Sequence, residues 1–199
     1  MKIGILGAGG IGQAFASQVA KAGYDVIVSN SRGPETLQDF VSRFGRNVKA
    51  GMREEAARAE VVVLAAQWQQ VPGALADLPA WNGRILIDAT NPVVMPDFRL
   101  ADLGGRTSSE VVASLAPGAR VVKTANTLPP PVLGSDPKQP GGHRVLFLSG
   151  DDAAAKADVA AILEKVGFAP VDLGTLAIGG KLQQFPGGPL PGLNLSKWG

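Results

Sequence analysis

Short apolar runs alternate with stretches of helical periodicity along most of the chain. Ile3-Gly4-Ile5-Leu6, Val26-Ile27-Val28, Val61 to Leu64, Ile85-Leu86-Ile87, Val121-Val122, Val145 to Leu148 and Phe168 to Val171 are bounded by Gly, Pro or polar residues, as buried strands are. Val48 marks a further short strand. Between them, Ile11, Ala14, Phe15, Val19 and Ala22 fall at helical spacing, with Gly23 placed as a C-terminal cap. Pro34 suits the first position of a helix carrying Leu37, Phe40 and Val41. Further helices are predicted from Arg53 to Ala59 and from Val71 to Leu78, the latter closed by Pro79. Thr107-Ser108-Ser109-Glu110 has capping-box spacing and opens a helix that ends at Pro117-Gly118. Asp151-Asp152 caps another, with Ala155, Val159, Ile162, Leu163 and Val166 on one face and Gly167 at its end. The strands are continuous apolar runs, as expected when both faces of a sheet are covered. The pattern predicts an α/β protein with a doubly wound, mainly parallel sheet. Regularity fades over Asn126 to Gly142, read as a long loop, and over Gly179 to Gly199, read as an irregular tail.

Composition narrows the chemistry. A length of 199 residues suits a single domain, with 1–122 as its core and 123–199 as a C-terminal part completing the site. With no Cys, disulfides, thiolate metal sites and a Cys nucleophile are excluded. The single His, His143, argues against a His-based metal site or a Ser-His-Asp triad. Net charge is +2 and evenly spread, so no nucleic-acid partner is expected. The apolar N-terminus is broken by five glycines between Gly4 and Gly12, which fits a first strand better than a signal peptide. Val61 to Ala66 is too short to span a bilayer. A cytoplasmic location and no membrane partner are therefore expected. The 26 Gly and 15 Pro would indicate disorder if scattered, so their positions decide their meaning.

Gly7-Ala8-Gly9-Gly10-Ile11-Gly12 fits G-x-G-x-x-G between a strand and a helix, the context that gives the pattern its force. Gly7 allows the tight turn, Gly9 admits a pyrophosphate to the backbone, and Gly12 lets the helix pack on the sheet. The helix N-terminus then offers free N–H groups to phosphates. A Rossmann-like nucleotide-binding fold follows. Ser29-Asn30-Ser31-Arg32 ends the second strand. NAD-specific sites carry an acid there for the ribose hydroxyls; here Asn30 takes that place, Ser31 is a donor, and Arg32 offers a fixed positive fork. NADP(H) is predicted over NAD(H). Ala65-Ala66-Gln67-Trp68 and Asp88-Ala89-Thr90-Asn91-Pro92 follow later strands at the sheet end where ligands bind. Asn91 is a candidate for a ribose or carboxamide contact, and Pro92 stiffens the backbone beside it. Trp68 is read either as part of the site or as a lid on the core.

These segments, with Lys123-Thr124-Ala125-Asn126-Thr127-Leu128-Pro129, stand in the order found in NADPH-dependent coenzyme F420 reductases, and the chain resembles that family. It is similar also to the cytosolic reductase domain of STEAP metalloreductases. The tail Gly192-Leu193-Asn194-Leu195 resembles that of bacterial members. The resemblance implies hydride exchange between NADP(H) and a flat second cofactor, coenzyme F420 or a flavin, lying near Asn91-Pro92 and Ala125-Asn126-Thr127. Such a reaction needs positioning more than acid–base help, and no catalytic side chain is assigned. Ala125 stands where relatives carry a bulky residue, Asn126 where archaeal members carry His, and Gln67 where many carry Pro. These departures bear on the acceptor, for which a quinone or a ferric chelate is an alternative. A dehydrogenase of the pyrroline-carboxylate or β-hydroxyacid type is disfavoured, because no large helical domain follows. An NADPH-sensing module is the non-enzyme alternative.

Several residues have plainer readings. His143 is taken as a solvated loop residue, with a lid role near the acceptor, helped by Lys138 and Arg144, as the alternative. Pro129-Pro130-Pro131 is expected to stiffen the acceptor wall. Lys123 is either a cofactor-phosphate contact or a surface lysine. Apolar Leu193, Leu195 and Trp198 point to a covered C-terminus and a homodimer.

Overall fold

Residues 1–198 are described by a computed structural model. β1 (Lys2–Leu6) leads into α1 (Gly10–Lys21), β2 (Asp25–Ser29), a 3-10 turn at Pro34–Leu37 and α2 (Gln38–Val41). β3 (Val48–Ala50), α3 (Arg53–Ala56), β4 (Val61–Leu64), α4 (Val71–Leu75) and β5 (Ile85–Asp88) follow. A small hairpin of β6 (Val93–Val94) and β7 (Arg99–Leu100) precedes α5 (Ser108–Leu115) and β8 (Arg120–Thr124). The chain then forms α6 (Pro130–Leu133), β9 (Lys138–Gln139), β10 (Gly142–Gly150), α7 (Ala153–Val166), β11 (Ala169–Asp172), α8 (Leu176–Gln183) and β12 (Ser196–Trp198). The main sheet has the order β11-β10-β8-β5-β4-β1-β2-β3. From β3 to β8 all pairings are parallel, whereas β10 runs antiparallel to β8. The carboxyl ends of β2, β1, β4, β5 and β8 therefore lie side by side along one crest. No helix among the described residues is long and apolar enough to cross a membrane.

The continuous apolar runs are explained by two cores. Successive side chains of a strand point to opposite faces. Ile3, Ile5, Val26, Val28, Val61, Val63, Ile85 and Ile87 pack on Phe15 and Val19 of α1 and on Val159, Ile162 and Leu163 of α7. Ile27, Val62, Leu64 and Leu86 face the other way, onto Ala56, Leu75, Trp81 and Val112. The sheet is thus covered on both sides, giving the doubly wound, mainly parallel Rossmann-like fold of one domain. β8 runs through the point between 122 and 123, so the sheet is continuous there.

Gly4 shows how tightly the second layer sits. A Cβ there would lie 1.9 Å from the Ala56 carbonyl oxygen, so α3 lies directly on the β1 backbone. The capping box of α5 is complete: Thr107 Oγ1 accepts from Glu110 N at 3.3 Å, and Glu110 Oε2 accepts from Thr107 N at 2.7 Å. Asp152 caps α7 by accepting from Ala155 N at 2.7 Å, and Gly167 closes it at φ +110°.

The pattern and the structure part in a few places. The helices expected over 53–59 and 71–78 stop at Ala56 and Leu75, and the one from Pro34 begins as a 3-10 turn. β10 is nine residues long, because its first half pairs with β9 and β12 beyond the end of β8. The long loop over 126–142 contains α6 and β9. Pro130 and Pro131 occupy the first helical turn, where a missing N–H costs nothing. The tail expected to be irregular holds most of α8 and all of β12. Gly179 and Gly180 open the segment read as the tail, yet both lie inside α8. They are contact points: Cβ atoms there would approach Ser149 Cβ at 2.5 Å and Thr107 Cβ at 3.2 Å. Leu193, Leu195 and Trp198 are exposed in the single chain.

Two outcomes are expected. Gly4→Ala drives a methyl into the Ala56 carbonyl and lowers unfolding free energy by about 1–3 kcal/mol, read by urea denaturation. The carboxyl of Glu110 is held below the usual range, first by the Thr107 N–H and then by the Thr107 hydroxyl. Its contribution is present above the ordinary glutamate pKa and is lost as pH falls through the lowered one. Glu110→Gln therefore flattens the acid side of the stability–pH curve.

Candidate nucleotide-binding site

The turn after β1 fixes one end of the crest. Gly7 has φ +106°, and a Cβ there would lie 2.6 Å from the Ala65 carbonyl oxygen. A Cβ at Gly12 would lie 1.9 Å from Gly7 O, so α1 reaches this turn only without one. Gly9 is different: a Cβ there meets nothing within 4 Å, and it faces open space. It is also the N-cap of α1 with no side-chain cap bond, and the first turn holds no acid. The first N–H groups of a twelve-residue helix thus remain available to an anion.

A cavity of about 720 Å³ lies in front of this turn. Gly7, Ala8 and Gly9 form one wall, Asn30, Ser31 and Arg32 a second, and Ala65, Ala66 and Gln67 a third. Nine of the candidate residues are therefore gathered round one space. Asn30 is engaged in shaping its own turn, donating to Thr36 Oγ1 at 2.8 Å and accepting from Arg32 N at 3.0 Å. Ser31 and Arg32 remain exposed. Gly10, Ile11 and Gly12 lie behind the cavity, where Gly10 abuts Pro130 and Ile11 packs on the first core. Pro130 of the proline run, expected at the acceptor wall, thus lies against the glycine turn. Trp68 follows its plainer reading: it is half-buried on the second core and does not line the cavity.

Arg53, Gln69 and Gln70 also line the cavity and were not anticipated. Arg53 opens α3 and is held by Glu54 Oε1 at 2.9 and 3.1 Å and by the Gly73 carbonyl. No sequence motif ties it to Arg32, since the two come from different β–α connections. Two guanidinium groups thus line one cavity, Arg53 with its charge paired to Glu54 and Arg32 exposed.

The other end of the crest is built by the loops after β5 and β8. Asn91 Nδ2 donates to the Asn126 carbonyl at 2.8 Å, and Asn126 Nδ2 donates back to Asn91 Oδ1 at 2.9 Å. Asn126 also donates to Gln183 O at 2.7 Å, and Phe185 N donates to Asn91 Oδ1 at 3.2 Å. Both asparagines therefore act as a clamp, and Asn91 keeps one amide hydrogen uncommitted. Pro92 is buried beside it and accepts from Ala101 N, closing the hairpin. Thr127 is buried, and its carbonyl accepts from Gly192 N at 2.7 Å, which ties the tail to this loop. Gln183 is the unforeseen member. It accepts from Ser149 Oγ at 2.8 Å and is fully buried, yet it lies in the segment read as an irregular tail.

Other candidates sit elsewhere. Lys123 is neither a phosphate contact nor a surface residue: it is fully buried, 3.3 Å from Asp88 Oδ2. Arg144 is buried and engaged with Asn194 Oδ1, Ser135 Oγ and two carbonyls, so it is not free for a ligand phosphate. His143 stands on β10, with Nδ1 2.7 Å from the Gly167 carbonyl, in a cleft separate from the crest cavity.

Ala125 is buried at φ +61°, the left-handed region, where a methyl is tolerated at a cost of about 1–3 kcal/mol. Ala125→Gly is expected to change stability by less than about 1 kcal/mol, because relief of strain and loss of chain entropy offset. Ala125→Val, β-branched and overpacked there, costs about 2–3 kcal/mol in the same urea titration.

Comparisons with known proteins bear on the family and the fold. The family model for NADP oxidoreductase, coenzyme F420-dependent, matches residues 2–92. The structure of a hypothetical protein, SMa0349 of Sinorhizobium meliloti, is 47% identical over 99% of this chain and 96% of that one, with a TM-score of 0.93. A candidate F420-dependent NADP-reductase from Arthrobacter sp. FB24 is 31% identical over 88% of this chain and 86% of that one, with a TM-score of 0.77. Metalloreductase STEAP3 of Rattus norvegicus is 29% identical over 93% of this chain. The chain spans about a third of the length of the curated relatives it matches, 36% in the case of STEAP3. With a solved relative 31% identical and covered to 86% of its length, and the glycine turn inside the segment matched by the family model, this chain belongs to the coenzyme F420-dependent NADP oxidoreductase family.

Proposed function

We propose that the chain binds NADP(H) along the crest and passes hydride between it and a deazaflavin or flavin-like acceptor. The observation that carries this reading is the cavity itself. An open Gly9, a helix end with free N–H groups, and Ser31, Arg32 and Arg53 without an acid in the lining fit a phosphorylated dinucleotide. Ala8, Gly9 and the first turn of α1 hold the pyrophosphate by backbone N–H groups, while the Gly7 N–H is engaged by the Ser29 carbonyl at 3.0 Å. Ser31 and Arg32 take the 2′-phosphate, Arg32 by its planar donor fork. Ala65, Ala66 and Gln67 complete the cavity wall, and Asn91 with the buried Ala125 to Thr127, which lie outside the cavity lining, frame the nicotinamide end in this reading.

When bound, the reduced nicotinamide supplies the hydride, and the chain's residues only align donor and acceptor. The residues of the clamp fit that role: Asn91, Asn126 and Gln183 are uncharged and hydrogen-bonded to one another, and His143 lies in another cleft. A charged acid–base group at the crest would have little to do, because hydride transfer between two flat rings needs near-attack placement rather than proton transfer. The acceptor is a substrate read from family membership and this uncharged setting. The likeness to STEAP metalloreductases makes a ferric chelate the acceptor to test beside it.

Arg32→Ala is expected to raise KM for NADPH by about 10–100-fold, the loss of a charge-assisted contact, while NADH changes less than about twofold. Equal losses for both nucleotides would overturn the 2′-phosphate assignment. A panel of coenzyme F420, FMN, FAD, a quinone and a ferric chelate identifies the acceptor by NADPH oxidation at 340 nm. Saturable NADPH binding without oxidation by any of them would make the chain a binding module.

A further inference from the structure

Asp88 and Lys123 form an ion pair with no exposure on either side chain, at the ends of the adjacent central strands β5 and β8. The reaction proposed above does not use it as an acid, a base or a ligand contact. Its hydrogen bonds are distributed unusually. Asp88 Oδ1 accepts from Thr90 N at 2.9 Å and from Thr90 Oγ1 at 2.7 Å. Lys123 Nζ donates to Thr90 O at 3.0 Å, to Ser108 Oγ at 3.2 Å and to Asp88 Oδ2 at 3.3 Å. Ser109 Oγ donates to Asp88 Oδ2 as well, the oxygen that faces Lys123. All three polar atoms of Thr90, its N–H, hydroxyl and carbonyl, are therefore held by this one pair.

Thr90 is the residue before Asn91, and Lys123 stands three residues before Asn126. The two loops thus pinned from below are joined above by the Asn91–Asn126 amide pair. We propose that the Asp88–Lys123 pair is a positioning element that sets the height and angle of the Asn91–Asn126 clamp, and hence of the nicotinamide ring. This rests on the reading that the ring lies at that end of the crest. Fold stability alone is a poor reason for such a pair. Burying two charges is as unfavourable as their attraction is favourable, and an apolar or neutral replacement of both is commonly no less stable. What a satisfied pair contributes is direction: its bonds fix three atoms of one residue, which a packed methyl cannot do.

The test is Asp88→Asn/Lys123→Met in the full chain, which removes both charges and leaves neither unpaired. In the chain without nucleotide, the expected melting temperature is within a few degrees of the original. Amide exchange at Thr90 and Asn126 speeds up by about tenfold or more. On titration, NADPH Kd stays within about threefold, because the phosphate end is untouched. The fluorescence enhancement of the bound reduced nicotinamide falls by at least about half, and kcat with an acceptor used by the original chain falls by about tenfold or more. Thr90→Val keeps both charges and deletes only the hydroxyl link, so it should move fluorescence and kcat in the same direction by a smaller factor even where the double variant does not fold. Unchanged nicotinamide fluorescence and kcat at unchanged Kd, in whichever of the two variants folds, overturn the positioning role and leave the nucleotide reading standing. A parallel rise of Kd for NADPH and for 2′,5′-ADP, which lacks the nicotinamide, also overturns it, since the pair would then act on the whole fold. Absence of saturable NADPH binding by the original chain overturns the nucleotide reading, and this inference with it.

Discussion

Helix α1 meets the end of β1 with space for only a hydrogen atom at Gly12, where a Cβ would lie 1.9 Å from the Gly7 carbonyl. Much of the rest follows from this approach. It aims the free N–H groups of α1 along the crest and forces Gly7 into φ +106°. It also brings the Ala65 carbonyl under the same turn, so β1 and β4 present their ends at one level. The parallel register of β2, β1, β4, β5 and β8 then carries that level across the sheet, and five loops share one edge.

The crest so formed has two chemically distinct ends. At the β2 side, charge is displayed to solvent on Arg32, and Arg53, paired with Glu54, lines the same cavity from α3. At the β8 side, charge is buried in the Asp88–Lys123 pair, and only amides reach the upper layer. This division suits a ligand that is anionic at one end and flat and weakly polar at the other. The buried polar side chains are satisfied: among the described residues, no buried side-chain nitrogen or oxygen lacks a hydrogen-bond partner. That lattice includes Gln183, Ser149, Thr90 and Ser109, drawn from four separate parts of the chain.

Legibility in the sequence followed the range of the interaction. The strands β1, β2, β4 and β5 were readable because an apolar run between Gly and polar residues is local, and burial on both faces leaves no alternation to mislead. The capping box at Thr107 and the cap at Asp152 were readable because their partners lie three residues away. So was the nucleotide turn, whose glycines act on one another. Arg53 was not readable, nor was Gln183. Each reaches the site from an element whose placement depends on sheet order. The helical placement of Gly179 and Gly180 was hidden for a similar reason: their value is the close contact with Ser149 and Thr107, which no local rule encodes.

By itself, then, the sequence determined a doubly wound sheet, the turn at Gly7 to Gly12 and the basic turn at Ser31 and Arg32, because each depends on spacings of a few residues. Only the tertiary structure decided the fate of the polar residues at the far end. Lys123 and Asn126 carry the same side chains whether exposed or enclosed. α8 and the loop after β5 close over them, so one becomes half of a buried ion pair and the other half of an amide clamp. That outcome depends on desolvation and on partners 35 to 57 residues distant, Asp88 and Asn91 before them and Gln183 after, and such pairings exist only once the chain has folded.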